Sequence, residues 1–131
     1  MSTAWVGVDL DGCLAKYDTW RGIEHIGEPI PRVVGFVKLL RENGVEVRIF
    51  TARCQEGPVA TERIKDWCLI HLGEVLPITD RKDFNMVFCV DDRAVTVEAN
   101  TGRFLVQPPS LASIRNHWNE EAGAPPKEFM R

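Results

Sequence analysis

The stretch GVDLDGCL, Gly7–Leu14, closes an apolar run with two carboxylates, Asp9 and Asp11, two positions apart, and sets Gly12 directly behind them. Together with the residues before it, the run AWVGVDL is almost continuously apolar, the pattern of a strand covered on both faces in a parallel sheet. Asp9 and Asp11 then fall at the carboxyl end of that strand. Like charges at such range repel and their desolvation is costly, so the pair needs a compensating partner.

Downstream, strand and helix patterns alternate. Pro31 opens a helix in which Val33, Phe36, Val37 and Leu40 recur at helical spacing, and Gly44 supplies its stop. VEVRIFTAR is a second strand, with Val45, Val47 and Ile49 alternating against Glu46 and Arg48, ending at Thr51. Pro58 begins a second helix with a stripe of Ile64, Trp67, Cys68 and His71 before Gly73. EVLPI offers a short third strand, and NMVFCVDDR is a solid apolar run ending in paired acids. RFLVQP is read as a fifth strand, followed by a helix capped by Ser110. The alternation predicts an α/β fold: a three-layer Rossmann-like open, mostly parallel sheet with helices on both faces. Residues 12–30 are Gly-rich and aperiodic and read as a flap over the sheet edge; long loops of this kind are often functional. One domain is expected over 1–122, with a flexible tail at 123–131.

The formal net charge of −3 excludes a global basic field for nucleic acid, leaving room only for a local patch. No apolar stretch approaches the roughly 20 residues that span a bilayer, and the start lacks a signal-peptide core, so the expected location is cytoplasmic, with no membrane partner. Cys13, Cys54, Cys68 and Cys89 lack CxxC spacing and read as reduced thiols, not disulfides or a zinc site.

Open α/β sheets bind ligands outside the carboxyl ends of their strands. Those ends carry Asp9 and Asp11, then Thr51 and Arg53, then Asp91, Asp92 and Arg93, with Lys82 just ahead of the last strand. Four carboxylates converging there would repel strongly unless a cation neutralised them, and hard oxygen ligands suit magnesium, Mg2+. Thr51 and Lys82 add a neutral donor and a point positive charge for phosphate oxygens.

DLDGCL, IFTAR, Lys82 within ITDRKDF, and CVDDR resemble, in order, the four motifs of the haloacid dehalogenase-like phosphatase superfamily. They span residues 9–92, about two-thirds of the chain. The likeness is to small capless members, and more distantly to deoxyribonucleotidases and polynucleotide 3′-phosphatases. It implies a fold without a cap domain, since the segments between motifs leave no room for one. It also implies Asp9 as nucleophile and magnesium ligand, and Asp11 as general acid and base with its backbone carbonyl on the metal. Thr51 and the backbone N–H groups at Asp11 and Gly12 would hold the phosphoryl group, and Lys82 would offset charge. Asp91 and Asp92 would share metal binding, one directly and one through water. The Thr usual after Asp-Gly is Cys13 here, a weaker donor, which implies weaker support for the turn.

Each motif alone has a plainer reading: DLDG as a polar turn, Asp91–Asp92 as a solvated loop or helix cap, and Arg53, Arg81 and Arg93 as surface charges. Arg53 and Arg93 lie near enough to the cleft to touch substrate. Tyr17, Trp20, Arg21 and His25 either stack on substrate or pack the flap down, with packing favoured for Trp20. His71 reads as a core or boundary residue. An EF-hand fails because Gly12 arrives too early, and a receiver domain because no Asp follows a strand between Asp11 and Thr51. A haloalkanoate dehalogenase would leave Asp11 without a task. The expected activity is hydrolysis of a phosphomonoester, the partner a phosphorylated small molecule such as a nucleotide. A nucleic-acid end bearing a 3′-phosphate and a phosphoprotein are the other substrates weighed, and a phosphate-binding regulatory module is the non-enzymatic alternative.

Overall fold

Residues 4–120 are described by a computed structural model. The chain divides into two units, Met1–Asp92 and Arg93–Arg131. The first holds a four-stranded, all-parallel sheet in the order β3-β2-β1-β4, from β1 (Trp5–Val8), β2 (Glu46–Phe50), β3 (Ile78–Thr79) and β4 (Met86–Val90). The sequence led here to an open α/β, Rossmann-like parallel sheet, and that is the fold; the expected helices on both faces are not seen in the first unit, where α1 and α2 share one face because both crossovers run the same way along the sheet.

Helix α1 (Pro31–Glu42) joins β1 to β2, and α2 (Pro58–Leu72) joins β2 to β3; each begins at its proline, where the missing N–H costs nothing. Both cover the face bearing Val6, Val8, Val47 and Ile49, into which Val37 of α1 and Ile64, Trp67, Cys68 and Leu72 of α2 pack. Two successive right-handed crossovers in one direction along the sheet require that shared face. Each such aliphatic side chain, fully buried, contributes about 1.5–3 kcal/mol. Trp67 is core, as its stripe indicated, and His71 is half-buried against it, ring centroids 4.7 Å apart.

On the opposite face Trp5 is fully buried. Arg48 lies 4.5 Å above its ring, Phe50 meets it edge-on at 6.4 Å, and its indole N–H donates to Asp83 Oδ1 at 2.9 Å. Asp83 belongs to the short link between β3 and β4, which crosses from one edge of the sheet to the other. The third strand is shorter than EVLPI suggested, retaining only its last residue and Thr79. All four cysteines are free.

The flap is anchored at its base. Ala15 bridges Pro29, Lys16 N–H donates to the Glu28 carbonyl and Ile30 N–H to that of Leu14, both at 2.8 Å. Trp67 Nε1–H reaches the Gly27 carbonyl at 2.9 Å, and Arg63 pairs with Glu24 at 2.6 Å. The flap therefore lies against α2.

In the second unit RFLVQP forms no strand of the sheet. Phe104 makes only an isolated antiparallel bridge with Val97, because residues 98–103 fold as a tight turn closed by Arg103–Glu98 at 3.0 Å. Helix α3 (Leu111–Glu120) starts where expected, Ser113 N–H donating to Ser110 Oγ at 3.1 Å. The proposed tail at 123–131 lies outside the described residues. Among the described residues no helix is long and apolar enough to cross a membrane.

A methyl group at Gly27 would drive into the Lys16 backbone carbonyl, which cannot rotate away. Gly27→Ala is therefore expected to cost about 1–3 kcal/mol, the scale of overpacking a fixed site, read as a Tm lowered by several degrees in thermal unfolding.

Candidate functional site

The site begins with register. Val8 of β1 sits opposite Val90 of β4, and the Asp9 amide donates to the Val90 carbonyl at 2.9 Å, so Asp9 and Asp91 leave neighbouring strands at the same level. The chain then turns sharply: the Leu10 carbonyl accepts from Cys13, Leu14 and Ala15, and that of Asp9 from Leu14 at 3.2 Å. Gly12 is forced at this turn twice over. Its φ of +88° favours glycine, and a Cβ there would collide with the Asp92 carboxylate. Cys13 is buried and donates its thiol to the Val90 carbonyl at 3.5 Å, tying the turn to β4 as a hydroxyl would, more weakly.

One carboxylate oxygen from each of Asp9, Asp91 and Asp92 lies within 4.8 Å of the others. Oxygens around a magnesium ion bound at about 2.1 Å stand about 3 Å apart when adjacent and about 4.2 Å when opposite, so three donors at this spacing could close on one hard dication with a small inward shift. The electrostatics agree. Burial first, then the Asp91 charge, a hydrogen bond with Asp92 and the charges of Asp92 and Asp11 push the Asp9 carboxyl up to about 8. Burial first, then the charges of Asp9, Asp92 and Asp91, push the Cys13 thiol up to about 12, so it remains protonated and inert as a nucleophile. Among the described residues no ion pair joins Asp9 or Asp92 to a basic side chain.

Asp11 is turned elsewhere. Its carboxylate accepts two hydrogen bonds from Arg53, Nε to Oδ2 at 2.7 Å and Nη2 to Oδ1 at 2.9 Å. Arg53 is only 4% exposed, which corrects its default reading as a surface charge: a guanidinium this buried requires full pairing, and Asp11 with two flap carbonyls supplies it. Thr51 is buried at the end of β2. Its Oγ1 accepts from the Arg53 amide at 3.1 Å and so caps the 3₁₀ turn Ala52–Glu56, keeping its own proton for donation. The Gly12 amide is engaged within the turn, donating to the Ala15 carbonyl at 2.8 Å. Lys82 is exposed in the β3–β4 link, and its charge reaches Cys89 of β4, where it opposes the rise caused by burial and Asp91. Arg93 is exposed and opens the second unit. Trp20 does not pack into the core: half-exposed, it lies over the Arg53 guanidinium at 4.9 Å. The Arg53–Asp11 pair, formed between residues 42 positions apart, left no local signal in the sequence beyond the placement of both at strand ends.

Without metal, Asp9 holds a proton in the fold that it has lost in the unfolded chain at any pH between its ordinary 3.8 and about 8. Its contribution to stability therefore falls as pH rises through that window and is level above it. Asp9→Asn removes this penalty, so with chelator present the Tm gain from the substitution should grow from pH 4 to pH 8 and then plateau. Thermal unfolding across that range checks it; a gain that shrinks as pH rises would contradict the crowding of the acids.

No protein-family model and no curated protein matches the chain. Among solved structures it is similar to a conserved protein of Bacteroides thetaiotaomicron, with 23% sequence identity, 88% of each chain covered and a TM-score of 0.50, a likeness that speaks for the fold alone.

Proposed function

We propose that this protein is a magnesium-dependent phosphomonoester hydrolase of the haloacid dehalogenase-like kind, acting on a small phosphomonoester such as a nucleotide. The observation that carries the reading is the meeting of Asp9, Asp91 and Asp92 oxygens within 4.8 Å at the carboxyl ends of two adjacent parallel strands. Asp11 and Thr51 leave the neighbouring strand ends beside them.

In this reading Asp9, Asp91 and Asp92, with the Asp11 backbone carbonyl, would hold the ion. When bound, the ion supplies positive charge that makes the crowded carboxylates tolerable and draws charge from the phosphoryl oxygens. The other Asp9 oxygen attacks phosphorus in line. As the phosphorus–oxygen bond to the leaving group breaks, Asp11 gives that oxygen its proton, and the alcohol departs from an aspartyl-phosphate. Water then attacks phosphorus, Asp11 takes a proton back, and inorganic phosphate leaves with Asp9 regenerated. Thr51 donates its hydroxyl proton to a phosphoryl oxygen, and Lys82 approaches the same oxygens from the β3–β4 link. The connections out of β1 and β2 carry a flap and a short turn but no cap, so a 3′-phosphorylated polynucleotide end or a phosphoprotein also fits the geometry. A second reading, a phosphate-binding module without turnover, is favoured by one observation: both Asp11 oxygens are taken by Arg53.

Phosphate release from an aryl phosphate, with and without magnesium, separates the two. Hydrolysis should require the metal and fall by roughly 10³-fold or more in Asp9→Asn, the scale for losing a covalent nucleophile. Release indifferent to Asp9→Asn would sink the nucleophile, and phosphate binding without release would favour the module. Magnesium should also raise the Tm of the wild-type protein in a concentration-dependent way and do so far less in Asp91→Asn, since only the folded site binds it.

A further inference from the structure

Outside the acid triad, Arg53 is a heavily partnered, buried polar side chain. Its amide is fixed to Thr51 Oγ1 at the end of β2, and its guanidinium reaches in three directions at once. Nε and Nη2 hold the two Asp11 oxygens at 2.7 and 2.9 Å. Nη2 also donates to the His25 carbonyl at 2.8 Å, and Nη1 to that of Ile23 at 3.5 Å. The Trp20 ring covers its face at 4.9 Å. Two flap carbonyls and a flap aromatic are thus joined through one buried, rigid cation to the carboxylate that the proposed chemistry uses as acid and base.

We propose that Arg53 is a positioning residue that makes flap order and Asp11 orientation a single unit. The inference rests on the reading of Asp11 given above and deepens it: the flap acts on the reaction through Arg53, not by covering the cleft alone. The geometry requires a planar fork. A lysine ammonium presents three donors from one point and cannot hold both Asp11 oxygens, both carbonyls and a stacked ring together. Removing the Asp11 charge leaves the buried guanidinium short of its main partner, which loosens its hold on the flap from the other side.

Hydrogen exchange of the substrate-free protein tests the coupling without any turnover. Arg53→Lys and Asp11→Asn, two substitutions 42 residues apart in sequence, should each speed exchange of the segment 18–28 by roughly tenfold while leaving β1 and α2 unchanged, which also shows that both variants are folded. Arg53→Lys added to Asp11→Asn should bring little more, because both break one unit. In turnover of the aryl phosphate, Arg53→Lys should lower kcat by roughly tenfold or more with KM within about twofold. Flap exchange unmoved by Asp11→Asn would overturn the coupling. A raised KM at unchanged kcat would overturn it too, marking Arg53 as a substrate contact, and so would a raised kcat, marking it as a brake. Phosphate release indifferent to Asp9→Asn would defeat the hydrolase reading, and the exchange comparison would still judge the coupling by itself.

Discussion

Negative charge gathered at one point of the sheet is the constraint around which this molecule is arranged. The pairing of Val8 with Val90 sets Asp9 and Asp91 side by side, and the turn at Gly12 leaves the space that the Asp92 carboxylate fills. Each neighbouring feature makes sense as a way of living with that charge. Gly12 has no side chain because the Asp92 carboxylate fills the space. Cys13 contributes a thiol that stays protonated instead of adding a further anion. The Asp9 carboxyl answers the crowding by retaining a proton in the absence of a cation.

Two acids of the same short motif have been given opposite environments. Asp11 has a dedicated arginine, while Asp9 and Asp92 have no basic side chain paired with them among the described residues. An arginine placed on Asp9 or Asp92 would satisfy that charge with protein and compete with an ion for it. Placed on Asp11 instead, it separates the fourth carboxylate from the other three and reduces their mutual repulsion. The two carboxylates therefore sit in distinct environments, and distinct environments are what give two identical side chains distinct roles.

The layout of the sheet was written in the sequence because apolar runs and proline-glycine punctuation fall at element boundaries: Pro31 and Pro58 at helix starts, Gly73 at the end of α2, Thr51 just past β2. Where the signal misled, a local competitor was at work. RFLVQP is apolar enough for a strand, but Asn100 and Gly102 bend the chain just before it and Glu98 captures Arg103, so the segment closes a turn. The carboxylates of the site were legible as residue types at strand ends, which is a one-dimensional property. The Arg53–Asp11 pair was not, because it depends on β2 lying beside β1 and on the first turn of chain after each strand facing the other. The close approach of Gly27 to Lys16 was hidden for the same reason: nothing near Gly27 in sequence announces what will press against it.

The flap has two kinds of attachment, and their difference matters for how the site works. At its base, backbone hydrogen bonds tie residues 14–16 to 28–30, and Leu14 and Ala15 are fully buried, so this part is continuous with the core. Farther out, side chains hold the flap: Arg53 on the carbonyls of Ile23 and His25, Arg63 on Glu24, Trp67 on Gly27. All three come from the single stretch that follows β2. Side-chain attachments to an exposed segment give way before a core does, so local opening of this protein is expected to begin there. Of the three, only Arg53 also touches Asp11. Any event that displaces the flap tip therefore reaches the proposed acid through one side chain, with no movement of the sheet required.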